Sequence, residues 1–242
     1  MKISKKIISA LCNIVLVTLV ISVGLFYRYS PAIAQSNSTV INGCIYAGNL
    51  SSNKVSLMIN VYWGTEYIKP ILQILEDKSA KCTFFVGGTW AEENPDLLKQ
   101  IYNNGHEIAS HGYSHKEHAK LNFEQNLIQM QKTHDIVKQI IDYDITLFAP
   151  PGGSYNNITV QASEQMGYKT IMWTRDTIDW RDQNAQIIYD RAIKGMAGGD
   201  LVLMHPKEKT VESLPRIIDY AVAHNFVVTT VSDNISEFDV VG

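Results

Sequence analysis

Apolar runs and helical patterns alternate along most of the chain. The apolar runs that predict buried strands are 55–61, 81–86, 107–110, 145–148, 169–173, 201–204 and 226–231. Apolar residues at helical spacing lie between or beside them, at 68–76, 95–103, 123–141, 158–166, 185–194 and 211–224. Strands that alternate with helices indicate parallel pairing, with the helices packed outside the sheet. The pattern predicts an α/β domain, either a barrel or a doubly wound sheet, with functional groups at the carboxyl ends of its strands.

The first apolar run has a different character, because it is long and follows three lysines. Residues 7–27 are predominantly apolar, and a helix of that length reaches about 30 Å, the hydrocarbon thickness of a bilayer. Basic residues before the run favour a cytoplasmic N-terminus. Ala32-Ile33-Ala34 also fits the small-x-small cleavage pattern of a signal peptide. Residues 1–28 are therefore expected to form a membrane anchor or a signal peptide, and the remainder to be extracytoplasmic, or secreted after cleavage near Ala34.

Composition is that of one folded domain behind this leader. Residues 29–53 are rich in Ser and Asn and are expected to form a stalk or irregular lead-in, and residues 54–242 the domain itself. Hydrophobic residues make up 45% of the chain and charged residues 19%, which suits a normal buried core. The net charge of -3, with no basic surface outside the N-terminal lysines, excludes nucleic acid as a partner.

The three cysteines do not define a disulfide framework. Cys12 lies inside the first apolar run, and Cys82 lies in a strand-like run. Cys44 and Cys82 either pair or stay as buried free thiols, and the apolar setting of Cys82 favours free thiols.

Three histidines follow predicted strands, two of them close together and the third in a later segment. His111 and His115, in Ser110-His111-Gly112-Tyr113-Ser114-His115, come directly after the strand at 107–110. Their spacing allows both rings to face one metal ion, although paired loop histidines are more commonly solvated or hydrogen-bonded. His205 ends the apolar run 201–204, where this fold class places active sites.

Two further segments at strand ends carry candidate chemistry. Asp176-Thr177-Ile178-Asp179-Trp180 follows the strand at 169–173, and a carboxylate there can orient an imidazole for acid/base catalysis or cap the loop. Phe148-Ala149-Pro150-Pro151-Gly152-Gly153 is a rigid loop whose backbone amides can stabilise an oxyanion.

Taken together, these segments resemble the NodB-homology domain of the polysaccharide deacetylases, carbohydrate esterase family 4, over residues 54–236. Stretches without catalytic residues match as well, namely Lys81-Cys82-Thr83-Phe84-Phe85-Val86, Asn104-Gly105-His106-Glu107-Ile108 and Val228-Thr229-Thr230-Val231-Ser232. Trp63-Gly64 and Trp90-Ala91-Glu92 are similar to the sporulation-associated branch. The resemblance implies a distorted (β/α) barrel of about seven parallel strands. It also implies hydrolysis of N-acetyl groups on cell-wall glycan, peptidoglycan or a related N-acetylglucosamine polymer.

The resemblance assigns a role to each candidate residue. His111 and His115 would bind a divalent metal, zinc in most of the family, and His205 would be the general acid, oriented by Asp179. The Gly152 amide would stabilise the oxyanion, and Leu203 and Trp180 would line the acetyl pocket.

The first family motif is where the chain departs from the pattern. The family sequence Thr-Phe-Asp-Asp-Gly aligns with Met58-Ile59-Asn60-Val61-Tyr62, so Asn60 replaces the catalytic base and Val61 replaces a metal ligand. Ala149 replaces the arginine that orients the base, and the losses fit each other because that arginine would otherwise be an unpaired charge. A general base contributes about 10²–10⁴-fold in rate. Glu66 and Glu107 are the candidates for a substitute carboxylate.

Two functions remain open at this point. One is an N-deacetylase of altered or reduced activity, which the retained His111, His115, Asp179 and His205 favour. The other is a pseudoenzyme that binds glycan or a protein partner at the cell envelope, which the joint changes at positions 60, 61 and 149 favour.

Overall fold

The computed structural model describes residues 39–236 and the single position 18, and the fold below lies in the unit Ser36–Gly242. The predicted membrane or signal segment at 7–27 lies, apart from residue 18, outside the described residues. Within the part of the chain that is described, no helix is long and apolar enough to span a bilayer.

Strands and helices alternate through the described region. The strands are β1 (Val40–Ile41), β2 (Cys44–Ile45), β3 (Lys54–Val61), β4 (Thr83–Val86), β5 (Glu107–Ser110), β6 (Leu147–Phe148), β7 (Lys169–Ile171), β8 (Arg175–Asp176), β9 (Leu201–Met204) and β10 (Val227–Thr229). The helices are α1 (Ile68–Asp77), α2 (Gly88–Glu93), α3 (Pro95–Asn103), α4 (Phe123–Ile141), α5 (Asn157–Gln165), α6 (Ala185–Ile193), α7 (Glu208–Ala223) and α8 (Val231–Ile235). Short 3-10 turns lie at Thr65–Tyr67, His118–Lys120 and Pro151–Gly153.

The strands form one curled, open sheet in the order β1-β2-β7-β6-β5-β4-β3-β9-β8, and β10 also pairs with β3. β1 and β2 are antiparallel, and the remaining pairs of this sheet are parallel. The expected α/β class and parallel core are confirmed. The expected distorted barrel of about seven parallel strands takes the form of an open, mixed half-barrel, because β8 and the antiparallel β1–β2 hairpin end the sheet in the described region.

The central strand β3 shows how the sequence divides the two faces of the sheet. Successive side chains of a strand point to opposite faces. Its odd-numbered residues from Val55 to Val61 are in the large hydrophobic cluster that also contains buried side chains of α1, α4 and α7. Met58 lies in a smaller cluster, and Asn60 follows it on the same face by alternation. The concave face therefore carries one polar side chain at the carboxyl end of the strand.

Local signals explain why the long elements match their predicted bounds. α4 begins with a capping box between Asn122 and Gln125, and it ends at Asp142, which has a left-handed φ of 51°. Such a box satisfies two backbone N–H groups at the start of a helix. α3 begins at Pro95, a residue whose fixed φ suits the first helical position.

Five short elements are absent from the sequence-based prediction. β8 and the hairpin of β1 and β2 have two residues per strand, too few to show an alternating pattern, and α2 and α8 are also short. β2 pairs with β7, so the segment predicted as a stalk or irregular lead-in is, from residue 39 onward, partly joined to the sheet. Cys44 and Cys82 are buried free thiols, as the sequence favoured.

Candidate active site

A cleft of about 400 Å³ opens at the carboxyl ends of the strands. Six predicted site residues line it, namely Asn60, His115, Gly152, Trp180, Leu203 and His205. The structure thus brings together residues from segments that are distant in sequence. This location follows from parallel pairing, which places all carboxyl strand ends at one edge.

His205 is held by Asp179 at one side of the cleft. The ring Nδ1–H of His205 donates to Oδ1 of Asp179 at 2.7 Å, and the backbone N–H of His205 donates to Oδ2 at 2.6 Å. The hydroxyl of Thr210 donates to the same Oδ2 at 2.7 Å. Asp179 is 1% exposed, so its carboxylate is fully enclosed by these donors. The arrangement fixes the ring of His205 with Nε2 as the remaining nitrogen, as a proton donor or acceptor requires.

His111 and His115 lie next to each other, with ring centroids 5.2 Å apart and the rings at 65°. His111 is buried, and its Nδ1–H donates to the carbonyl oxygen of Ala149 at 2.8 Å. His115 has a left-handed φ of 51°, and its ring packs on Tyr62 and Trp63 at centroid distances of 4.9 and 5.1 Å. The pair expected from sequence is therefore formed, and it is oriented by backbone and aromatic contacts.

Burial disfavours the charged form of both imidazoles. It lowers the pKa of His111 well below the usual histidine value, and the nearby His115 lowers it further. Burial also lowers the pKa of His115, with His205 adding to the shift. Desolvation disfavours a charged imidazole, so both shifts have the expected sign.

The residues that the sequence resemblance aligns with the family carboxylates and arginine do not supply equivalent chemistry. Asn60 lines the cleft but has no ionisable group, and its buried Oδ1 has no hydrogen-bond partner in the described region. Val61 is fully buried in the large hydrophobic cluster. Ala149 is fully buried in the smaller cluster and contributes its backbone oxygen to His111.

These side chains do not fit a catalytic zinc centre. A catalytic zinc site normally has three protein ligands drawn from His, Asp, Glu and Cys. Among the described residues no group of three such side chains is placed to hold a metal ion. His111 and His115 provide two nitrogens, and Val61, which the sequence resemblance aligns with the third ligand, is apolar.

Glu66 and Glu107, the two acidic residues considered as substitute bases, do not line the cleft. Glu107 begins β5, at the end of that strand opposite the cleft, and its Oε2 accepts bonds from the Thr83 hydroxyl and the Ser232 backbone N–H. Glu66 is exposed in the 3-10 turn Thr65–Tyr67 and does not line the cleft. The expectation that either carboxylate acts in the cleft is not supported by this geometry.

Three cleft residues carry no role in the sequence prediction, namely Trp63, Trp173 and Asp176. Together with Trp180, the two tryptophans give the cleft three indole rings. Trp63 is 40% exposed and Trp180 is 52% exposed. Trp173 and Asp176 follow β7 and end β8, so their position at strand ends was the available signal.

The sequence of this chain is similar to one protein family and to several known proteins. The polysaccharide deacetylase family profile matches residues 47–171. The uncharacterized protein YlxY of Bacillus subtilis is 37% identical over 195 residues, covering 80% of this chain and 60% of YlxY. A peptidoglycan-N-acetylglucosamine deacetylase of Bacillus cereus is 28% identical over 178 residues, covering 72% of this chain and 65% of that enzyme. The chain thus spans less than two thirds of the length of these two relatives.

Two solved structures of one protein share the overall architecture of this chain. BA3943 of Bacillus anthracis, described as a CE4 family pseudoenzyme, matches with a TM-score of 0.78 at 33% identity, over 81% of this chain and 70% of that chain. A BA3943 mutant described as having restored enzymatic activity also matches with a TM-score of 0.78, at 31% identity, over 81% of this chain and 72% of that one.

Proposed function

This chain belongs to the polysaccharide deacetylase family, and from that premise we propose that it binds N-acetylated cell-wall glycan in the cleft with deacetylation strongly impaired or lost. The ligand class is peptidoglycan or a related N-acetylglucosamine polymer. The proposal rests on a contrast between two sides of the cleft. The acid side, with His205 and Asp179, is intact, whereas the base side, with Asn60, Val61 and Ala149, is altered.

The altered base side supports loss of activity. A hydrolase of this type needs a group that removes a proton from the attacking water, and Asn60 cannot accept one. Val61 and Ala149 are packed in apolar clusters, so neither of these two positions supplies a charge to the cleft. The family is generally metal-dependent, and two histidines without a third ligand leave a bound zinc ion weak, if one is retained at all.

The aromatic lining supports retained binding. Trp63, Trp173 and Trp180 present indole rings to the cleft, and flat apolar rings suit the faces of pyranose sugars. Leu203 and Gly152 lie in the same cleft, consistent with space for an acetyl group. The similarity to a peptidoglycan-N-acetylglucosamine deacetylase suggests the polymer, and the similarity to the BA3943 pseudoenzyme suggests the inactivity.

Residual deacetylation is the second candidate, because the acid side is complete. Asp179 makes three hydrogen bonds, two of them to His205, which would suit His205 for protonating a leaving amine. An isolated general acid gives only part of the rate of a paired acid and base, so any such activity should be low.

The location is part of the same proposal. A membrane anchor or cleaved signal peptide at 1–28 would place the cleft at the cell envelope, where its glycan is found. A protein partner there and a link to sporulation remain predictions from the sequence.

The test uses the full chain and measures binding and turnover together. Bound metal is determined by elemental analysis, and acetate release from N-acetylglucosamine oligomers and peptidoglycan is followed with added zinc or cobalt. We expect cosedimentation with peptidoglycan and no acetate above background. Trp180→Ala should weaken cosedimentation, whereas Val222→Ala, on an exposed part of α7, should not.

Each outcome has a defined meaning. Acetate release that disappears in His205→Ala would overturn the inactive assignment in favour of residual deacetylation. Absence of both binding and turnover would overturn the whole proposal and favour a protein partner.

A further inference from the structure

Three aromatic rings pack against one another beside the cleft, namely those of Tyr62, Trp63 and His115. The ring centroids of Tyr62 and Trp63 are 5.7 Å apart at an interplanar angle of 88°. The ring of His115 lies 4.9 Å from that of Tyr62 and 5.1 Å from that of Trp63. These distances are in the range at which aromatic pairs attract each other. Each ring contacts the other two, so the position of one depends on both neighbours.

The turn that carries Trp63 is held on two sides by glycines. Gly64 has a φ of +76°, and an added Cβ there would lie 2.0 Å from the carbonyl oxygen of Pro206. An added Cβ at Gly87, directly after β4, would lie 2.6 Å from Cδ2 of Tyr62. Only glycine allows such close approaches. The backbone next to Trp63 is therefore fixed against the residue after His205, and the Tyr62 ring is fixed against the end of β4.

The indole of Trp63 is held in place and yet available to a ligand. Besides its two aromatic neighbours, it has Nζ of Lys207 5.6 Å from its centroid, within the range of a cation–π contact. Trp63 is nevertheless 40% exposed and lines the cleft. A side chain that is ordered before binding loses less conformational entropy when the ligand arrives. Trp63 is thus a preformed contact surface for the flat face of a sugar ring.

The surroundings of His115 have changed from carboxylate to aromatic. The sequence resemblance aligns Tyr62 with the glycine of the family motif Thr-Phe-Asp-Asp-Gly, and Asn60 and Val61 with its two aspartates. The ring that packs on His115 is therefore added in this chain at the same motif where the carboxylates are absent. A zinc site lacks its third ligand here, whereas the aromatic contacts of His115 are complete.

We propose that His115 acts in this chain through the faces of its ring, as a positioning residue that holds the Trp63 indole for a sugar, and not through a nitrogen on a metal ion. The inference rests on the proposed glycan binding, because His115 acts on the ligand only through Trp63. Loss of this support should cost about threefold to tenfold in affinity, the effect expected for ordering one side chain on binding.

Two substitutions separate the ring of His115 from its nitrogens. His115 has a left-handed φ of 51°, a region that asparagine also favours, so His115→Asn suits the backbone and removes the ring. His115→Phe keeps a ring and removes both nitrogens. Calorimetric titration of the full chain with the N-acetylglucosamine tetramer, in EDTA, should show about threefold to tenfold weaker binding by His115→Asn. His115→Phe should bind within about twofold of the original chain, and zinc in place of EDTA should not tighten binding by the original chain.

A double-mutant cycle tests whether His115 acts through Trp63. The double variant of His115→Asn and Trp63→Ala should bind the tetramer within about twofold of Trp63→Ala alone, because the supported ring is already absent. Trp180→Ala is the matched background, since Trp180 lines the same cleft and has no ring contact with His115 among the described residues. In that background His115→Asn should again lose about threefold to tenfold.

The outcomes separate the role of His115 from glycan binding itself. Equal losses from His115→Asn in the Trp63→Ala and Trp180→Ala backgrounds would overturn the positioning role and leave glycan binding intact. Weak binding by His115→Phe with retained binding by His115→Asn would also overturn it, because the nitrogens would then matter and the ring would not. If the original chain binds neither the tetramer nor peptidoglycan, the proposed function fails together with the inference.

Discussion

Asp179 binds His205 through both of its carboxylate oxygens, one at the ring Nδ1 and the other at the backbone N–H, at 2.7 and 2.6 Å. Because Thr210 donates to the second oxygen as well, one buried carboxylate joins β9, the start of α7 and the loop after β8. The pair is therefore a structural junction as well as the proposed acid side of the cleft.

Replacing this carboxylate should destabilise the fold. Asp179→Asn has one acceptor oxygen for three donors, and hydrogen bonds to a charged group are worth about 1.5–3 kcal/mol each. We expect the free energy of unfolding to fall by about 2–4 kcal/mol in urea denaturation. Asp219→Asn is the control, since Asp219 pairs with Lys78 on the surface and such pairs contribute at most about 1 kcal/mol. Equal losses in the two variants would show that burial of Asp179 adds nothing.

Restoring the three family residues should restore a metal site. The combined change Asn60→Asp, Val61→Asp and Ala149→Arg returns the base, the third ligand and the orienting cation as a unit. Equilibrium dialysis should show about one tightly bound zinc per chain, compared with weak or no binding by the original chain. Acetate release from N-acetylglucosamine oligomers should accompany the metal. A soluble, folded triple variant that binds no zinc would contradict the alignment of these positions.

Gly112 should not tolerate a side chain. Its φ is +70°, and an added Cβ would lie 2.7 Å from Nε2 of the buried His118. Gly112→Ala therefore combines backbone strain with a steric clash, and we expect a loss of about 2–4 kcal/mol. Gly167→Ala is the matched control, because Gly167 has a φ of +72° and no atom within 4 Å of an added Cβ. It should lose only about 1 kcal/mol in the same denaturation assay. Equal losses of unfolding free energy in the two variants would mean that the protein relieves the contact with His118 without losing stability.

Acid should destabilise the protein through its buried histidines. Burial lowers the pKa of His106 from 6.5 to about 4, and Lys81 lowers it further. Between these two values the unfolded chain binds a proton that the folded chain does not, so stability falls as pH decreases from 6.5 toward 4. His106→Gln removes this group and should reduce the difference between the unfolding free energies at pH 7 and pH 4.5. An unchanged difference would assign the acid sensitivity to the other buried histidines, including His118, whose pKa burial also lowers to about 4.

Sequence reasoning was most successful where one physical signal governs a whole element. The strands at Glu107–Ser110 and Leu201–Met204 and the helices at Pro95–Asn103 and Phe123–Ile141 have the bounds that their apolar runs, caps and flanking residues predict. Because β9 ends at Met204, His205 had to stand at a strand end. Such patterns depend on neighbours in the chain, and they are therefore visible in the sequence.

The full lining of the cleft could not be predicted from such local patterns. Trp63 and Trp173 carry no strong local signal, and they line the same cleft only because the sheet curls and brings strand ends together. Glu107 likewise could be excluded as a base only because the structure places it at the end of β5 opposite the cleft.

The sequence by itself determined the chemical groups available to this protein, including histidines at positions 111, 115 and 205 and the uncharged Asn60 and Val61. Only the tertiary structure decided what those changes mean, because hydrogen bonding and burial are set by residues distant in the chain. It closed three hydrogen bonds on Asp179, placed Val61 in the hydrophobic core, and brought Asn60 and His205 from separate strands to one cleft.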